Sequence, residues 1–489
     1  MTATKPLADT VPAGETATAV GAQPLNATTY DAGERPRVRI VHLGLGAFHR
    51  AHQVWYTEQA HDGWGIASFT GRSPEAAETL SAQDGLYTLV ERGPVEDKMT
   101  IISHLVEAHD GADLTTLATL MAQAEVGIVT LTITEAGYRL RPGNTELDVD
   151  DEQVRSDVAA LCQNYETTHF TLGHGFDGRK VKTAPARLVV GLAARRAADG
   201  WPIAIVPCDN LPSNGTAAKA AVLGIAELVD PLLANWISEN VSFVDTSIDR
   251  ITPRTTDEDR QAVAEATGYE DASPVITEPF SSWVLAGDFP GGRPAWENAG
   301  AVIVDDLEAF ERRKLWLLNG SHSLMAYAGA LRGHATVAAA LSDPKVSEWV
   351  EQFWDAAANH LTDPVLDIPG YRAALRERFN NPRIAHYLAQ IGMDGSLKLA
   401  ARALPVFAAE REAGRDGTAA LRPVAAWMDR VTEQVTAGET VKDPAGPRIA
   451  IAAGNDEQTR ALLAVIDENL AADDAVVAAL KSLRGTFKD

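Results

Sequence analysis

Cysteine is nearly absent from this chain of 489 residues: it occurs only as Cys162 and Cys208. Two cysteines are too few for a structural zinc site; they fit a reducing cytoplasm, and each reads as an inert core residue. Long apolar runs are missing too. No stretch reaches the roughly 18 residues that a bilayer-spanning helix needs, so no transmembrane segment is expected. The N-terminus has no basic region followed by an apolar core, so a secretory signal is not expected. Positive charge is scarce: 43 Lys and Arg stand against 67 Asp and Glu, a net charge of −24. That excludes nucleic acid and anionic membranes as partners, since both need basic patches. It fits a soluble protein with an acidic surface. No His-x-x-x-His pair and no cysteine cluster offers a metal site. His49 and His52, three residues apart, read as structural or nucleotide-proximal, and the expectation is no metal.

What is present is a globular composition, 45% hydrophobic and 22% charged. The length exceeds one ordinary core, so two or three domains are expected. Residues 1–36, rich in Ala, Thr, Pro and Gly, read as a mobile or loosely docked tail. Strands are expected over 38–43, 65–70, 100–105, 126–134, 202–207 and 241–245, with helices over 51–60 and 186–198 between them. Strands alternating with helices imply a mostly parallel, doubly wound sheet. Beyond 301–304 the texture becomes helical, with breaks at Pro344, Pro364, Pro369, Pro382, Pro405, Pro423 and Pro447. The fold class is therefore α/β: a Rossmann-like domain over 37–300, an all-helical domain over 301–489, and a site between them.

The first strand ends in Gly44-Leu45-Gly46 and leads into a helix. Glycines there permit a tight turn and let a pyrophosphate approach the helix N-terminus. A plain strand-to-helix turn also yields such a pair, and His49 stands where the usual fingerprint has a third glycine. After the second strand comes Thr70-Gly-Arg-Ser73, with no carboxylate before Glu75 to take the ribose hydroxyls of NAD. Arg72 would face a 2′-phosphate of NADP, stack on adenine, or point to solvent.

At the expected domain junction, Lys314-Leu-Trp-Leu-Leu-Asn-Gly-Ser-His322 places polar groups in an apolar helix. At about 100° per residue, Lys314, Glu311, His322 and Asn319 fall near 0°, about 60°, about 80° and about 140°. Burying such groups unpartnered costs about 1–3 kcal/mol each. The stripe is either a solvated or internally bonded face, or a polar site built around a lysine base.

Four segments together resemble one family, the long-chain, metal-independent polyol dehydrogenases of the mannitol 2-dehydrogenase and fructuronate or tagaturonate reductase type. They are Gly44-Leu-Gly-Ala-Phe-His-Arg-Ala-His52, Thr132-Ile-Thr-Glu-Ala-Gly-Tyr138, Phe243-Val-Asp-Thr-Ser-Ile-Asp-Arg-Ile-Thr-Pro253 and Lys314–His322. Asp84-Gly-Leu-Tyr87, Cys208-Asp-Asn-Leu-Pro-Ser-Asn-Gly215 and Asp394-Gly-Ser396 also fit. The resemblance covers residues from about 38 to 398.

It implies that Lys314 is the general base, that Asn210 and Asn319 hold the reacting oxygen, and that His322 orients the substrate. Glu311 would relay the proton to solvent. Asp249, Arg383 and His386 would lie at the substrate, and Gly44, Gly46, Phe48, His49, Thr134 and Glu135, joined by Arg72, at the cofactor. It implies NAD as cofactor, with NADP open, and a monomer. The chemistry is coherent: an amine at about 10.4 is protonated at neutral pH, and burial lowers it towards the working range. Two amides on the oxygen act as an oxyanion hole does. The expected reaction is hydride transfer between NAD(P) and a polyol/ketose pair, D-mannitol and D-fructose first. The alternatives are a hexuronate reductase, a D-arabinitol or D-sorbitol dehydrogenase, and a nucleotide-bound sensor without catalysis.

Overall fold

Short, largely apolar and β-branched runs along the expected strands build a sheet covered on both faces. The computed structural model describes residues 21–143, 145–164, 177–198, 200–384 and 386–488. Six strands, β1 (Arg37–Leu43), β2 (Trp64–Phe69), β3 (Leu105–His109), β4 (Ile128–Leu131), β5 (Ile203–Pro207) and β6 (Val241–Phe243), form one all-parallel sheet in the order β3-β2-β1-β4-β5-β6. Ile40, Ile66, Ile128 and Val206 point into one core, beside the segment 47–60. Val41, Phe69, Val129 and Ile205 point into the other, beside Leu114–Met121, Ala184–Ala197 and Asn214–Val229. The strand order reverses between β1 and β4, so a crevice opens at their C-terminal ends, where open α/β sheets bind ligands.

Two expected strands divide. The run over 100–105 splits into Asp97–Ile102, hairpinned with Tyr87–Arg92, and β3. Glu58 takes the Ser103 and His104 N–H groups at 2.9 and 3.0 Å, which removes them from any ladder. The run over 241–245 splits at Val244 into β6 and β7 (Asp245–Asp249). β7 pairs antiparallel with β8 (Ser282–Ala286), and β8 pairs parallel with β9 (Val302–Val304). β9 thus joins a sheet of the first part, although it lies beyond residue 300.

Helices follow from Glu308 onwards around one core that includes Phe353, Trp354, Trp427 and Met428. Most of the prolines expected to break this region sit in the first turn of a helix, where their missing N–H costs nothing: Pro344, Pro369, Pro405 and Pro447 do so. Pro423 is different. It lies inside Thr418–Thr436, buried, because Leu421, Val424, Ala425 and Trp427 of the same helix pack into the core around it.

Of the expected tail, residues 1–20 lie outside the described residues, whereas 21–36 are docked. Gln23–Pro24 pairs with Tyr269–Glu270, Leu25 is buried, and Arg35 donates to Ser103 O and Leu105 O at 3.1 and 2.6 Å. Cys208 is buried as expected, but Cys162 is exposed. Among the described residues no helix is long and apolar enough to cross a membrane.

Candidate active site

Lys314 stands where the helix Glu308–Arg313 widens into a π-turn, Lys314–Gly320. In such a turn the backbone bonds run five residues instead of four. Lys314 and Asn319, five apart, therefore come nearer to one side than a regular helical wheel allows. The loosened ladder leaves carbonyls to satisfy. Leu317 O accepts from Ser321 Oγ at 2.5 Å and from Trp354 Nε1 at 2.8 Å, and Leu318 O accepts from Ser321 Oγ at 3.0 Å.

The Lys314 amine meets the first part of the chain. Nζ donates to Asn210 Oδ1 at 2.8 Å and to the Ile248 carbonyl at 2.7 Å. Asn210 belongs to the turn after β5, and Ile248 lies in β7. Burial holds the amine below its ordinary value; Asp249 and Glu311 oppose this, and Arg378 and Arg402 add to it. The Glu311 carboxyl is pushed up by burial, against the Ser213 N–H that bonds it.

These groups line a cavity of about 1010 Å³ between the strand ends and the helical part, which also receives Asn319, His322, Asp249, His386 and Glu135. His322 is buried, and its Nε2 has no hydrogen-bond partner. Its ring lies edge-on to His386, with centroids 4.8 Å apart. Burial, with His386 and Arg378 nearby, keeps it neutral far below the usual histidine range. His386 is lowered to about 4, again by burial first. Asp249 is on the wall, but both its oxygens are taken by Arg378. Arg378 and Arg402 are cavity residues that sequence reasoning missed. The available signal was the arginine-rich run ending the helix Ile368–Phe379, five residues before the arginine that was chosen. That residue, Arg383, is exposed, pairs with Asp97 at 2.7 Å and bonds Gly93 O at 3.1 Å on the Tyr87–Ile102 hairpin. It is not among the residues that line the cavity, since its guanidinium is held on the hairpin.

At the nucleotide end, Gly44 has φ +112°, and a Cβ there would stand 2.2 Å from Thr132 O. Only glycine fits. Gly46 is the N-cap of the helical segment 47–60 and offers no side chain to cap it. A glycine cradle leading to an open helix N-terminus at the strand-order reversal fits a dinucleotide pyrophosphate. Phe48 is half-buried and stacks on His52 at 5.1 Å. Arg72 is exposed beyond β2, and Thr134 is the N-cap of the short turn Glu135–Tyr138. His49 has both ring nitrogens engaged within the protein. It is fully buried, stacked on His42 at 3.3 Å, with ring nitrogens on Ser68 Oγ and Gln53 Oε1 at 2.8 and 3.2 Å. Its ring fills the interior under the loop, a packing role rather than an open ligand-facing position. Among the described residues no group of three or more His, Cys, Asp or Glu is placed to hold a metal ion.

Residues 38–298 match the model of the mannitol dehydrogenase Rossmann domain, and 306–484 match that of the mannitol dehydrogenase C-terminal domain. The chain is 36% identical to the D-mannonate oxidoreductase of Escherichia coli K12 over 425 residues, 84% of this chain and 83% of that one. It is 35% identical to the mannitol 2-dehydrogenase of Aspergillus terreus over 405 residues, 80% and 77% of the two. Among solved structures, the Pseudomonas fluorescens mannitol 2-dehydrogenase in ternary complex with NAD and D-mannitol is similar at 31% identity and a TM-score of 0.72, covering 96% of this chain and 95% of that one.

Proposed function

The chain belongs to the mannitol dehydrogenase family, and from that premise we propose that it interconverts a polyol and its ketose, D-mannitol and D-fructose first, with Lys314 as the base. It is an NAD-dependent oxidoreductase of the mannitol 2-dehydrogenase type. Gly44 and Gly46 would hold the pyrophosphate, with Thr134 and Glu135 on the adjoining loop. Bound NAD supplies the hydride acceptor for the alcohol carbon.

The observation that carries the reading is the seat of Lys314, whose Nζ has two acceptors, Asn210 Oδ1 and Ile248 O. A neutral amine has two N–H bonds, and these two acceptors use both. The lone pair is then left for the substrate hydroxyl. As hydride leaves carbon, the hydroxyl proton passes to Nζ and the oxygen becomes a carbonyl. Asn210 spends its carbonyl oxygen on Lys314 and keeps its Nδ2 hydrogens for the reacting oxygen. Asn319 supplies a second amide from the opposite wall, as an oxyanion hole would. His322, neutral and with Nε2 unpartnered, takes a substrate hydroxyl. Glu311 then carries the proton from Lys314 towards solvent. We take the protein to act as a monomer in a reducing cytoplasm, which size-exclusion chromatography with light scattering checks for the monomer.

A second reading, a sugar acid as substrate, has its own observation. Lys398 and Arg402 line the same cavity. Their polar contacts are to Ile391 O at 3.1 Å and to Asn319 O and Ser323 Oγ at 3.4 and 3.2 Å, none of them a carboxylate. Among the described residues neither cation is hydrogen-bonded to a carboxylate, although Asp394 and Asp443 act on Lys398 by their fields, and such a pair suits a ligand carboxylate.

The test is a panel of D-mannitol, D-sorbitol, D-arabinitol and D-mannonate, each with NAD and with NADP, followed at the reduced nicotinamide band. Fastest turnover of D-mannitol with NAD supports the first reading. Preference for D-mannonate, lost in Arg402→Ala, supports the second. No turnover of any polyol or sugar acid contradicts both.

A further inference from the structure

The turn that carries Asn210 is anchored by a buried pair that the proton transfer does not use. Tyr138 is 1% exposed, and its hydroxyl donates to Asp209 Oδ2. Asp209 Oδ1 accepts the Leu211 N–H at 3.0 Å. Asn214 Nδ2 bonds the Asp209 carbonyl at 3.4 Å, and Asn214 is itself pinned to β7, with Thr246 N–H donating to its Oδ1 at 2.8 Å. The neighbours of Asn210 on both sides are thus tied down, while its own side chain reaches Lys314. Tyr138 closes the short turn Glu135–Tyr138 that follows β4, whereas Asn210 follows β5, the strand paired with β4. One hydroxyl therefore joins the segments that leave two adjacent strands at the ligand edge of the sheet. Burial pushes both the Tyr138 hydroxyl and the Asp209 carboxyl upward, the tyrosine far more, so the proton stays on the tyrosine.

We propose that Tyr138 is a positioning residue: through Asp209 it fixes the place of Asn210, and through Asn210 the two-acceptor seat of Lys314. This rests on Lys314 being the base.

Tyr138→Phe keeps the ring and removes only the hydroxyl; Asp209→Asn weakens the same link from the other side. In each, the ammonium form of Lys314 loses a well-placed acceptor. Its pKa falls, so the rising limb of the oxidation pH profile moves down by about half a unit or more. The kcat falls about ten- to a hundredfold, as a misplaced catalytic group predicts, and KM for the polyol changes less. The other titratable groups facing Lys314, namely the charged Asp249, Glu311, Arg378 and Arg402 and the neutral His52, are unaltered.

A second readout needs no turnover. The pH dependence of Lys314 acetylation by trace acetic anhydride, read by peptide mass spectrometry on the ligand-free full chain, shifts downward by the same amount. Tyr87→Phe removes a comparable buried hydroxyl bond, 2.6 Å to Arg50 O, and leaves both curves in place. Limb and labelling curves that coincide with the parent, or move up, in both variants overturn the proposal, whatever the loss of activity. Lys314→Ala separates the two ideas. Retained turnover there removes the lysine base itself. Lost turnover there, with unmoved curves in Tyr138→Phe and Asp209→Asn, removes only the positioning role.

Discussion

Arg378 grips Asp249 with both terminal nitrogens, at 2.6 and 2.9 Å, across the seam between the helical part and β7. Its Nε holds Glu278 at 2.8 Å. Burial pushes the Asp249 carboxyl up, but Arg378 pulls it further down. Asp249 therefore acts on Lys314 by its field, with its oxygens already committed. It opposes the lowering of the amine that burial imposes.

Removing Arg378 leaves two buried carboxylates without their cation. Arg378→Ala is expected to destabilise the protein by about 3–5 kcal/mol at pH 8. Without the guanidinium, burial raises both carboxyl groups above their unfolded values. The native state then binds more protons than the unfolded state as pH falls, so the deficit shrinks. Urea unfolding at pH 8 and pH 5 checks this; a deficit that grows at pH 5 contradicts it.

As the proposed base, Lys314 would set the direction of the pH dependence. Its amine is held below the ordinary 10.5 by burial, and oxidation needs the uncharged form. The kcat/KM for the alcohol is expected to rise with pH and level off above the depressed pKa. Ketose reduction needs the ammonium and is expected to fall through the same pKa. Steady-state profiles in both directions test it, and parallel slopes would be inconsistent with one shared lysine.

The two loop glycines are expected to differ. At Gly44 a Cβ meets Thr132 O at 2.2 Å on a left-handed backbone, whereas at Gly46 the nearest atom is Gly44 O at 3.6 Å. Gly44→Ala is expected to cost at least about 1–3 kcal/mol and to weaken NAD binding by more than tenfold. Gly46→Ala is expected to keep the parent's thermal midpoint. Calorimetry and cofactor fluorescence titration give both numbers.

His322 is a site residue with no structural bond at Nε2. His322→Phe keeps the ring's bulk and removes a buried, unpaired nitrogen, so stability is expected to hold or rise. The KM for the polyol is expected to increase about tenfold or more, the loss of one good hydrogen bond. No titration near pH 6.5 belongs to this residue, since burial keeps it neutral.

Much of the fold was legible because its signals are local. The runs that became β1, β2 and β5 are largely apolar and β-branched without a polar face, and such uninterrupted burial is what a strand covered on both sides requires. Strand limits were less legible where a distant group intervened, as Glu58 does at Ser103 and His104. The Lys314–His322 segment exposed the site because polar residues in an apolar helix need partners. Its π-turn was not legible, since it depends on Trp354 and Ser321 taking the loosened Leu317 carbonyl. Arg378 and Arg383 are both plausible on spacing. Only the fold shows that one meets Asp249 in the cavity and the other meets Asp97 outside it. His49 looked cofactor-facing by position in its loop, yet its ring fills the space beside His42.

The most direct test is single-turnover formation of reduced nicotinamide by Lys314→Ala, with saturating NAD and the parent's best polyol, across pH 6 to 10. The account predicts a rate about 10²–10⁴-fold below the parent, no rising limb, and NAD affinity within about twofold, because Lys314 is remote from the glycine cradle in role. A rate within tenfold of the parent that still climbs with pH would contradict it.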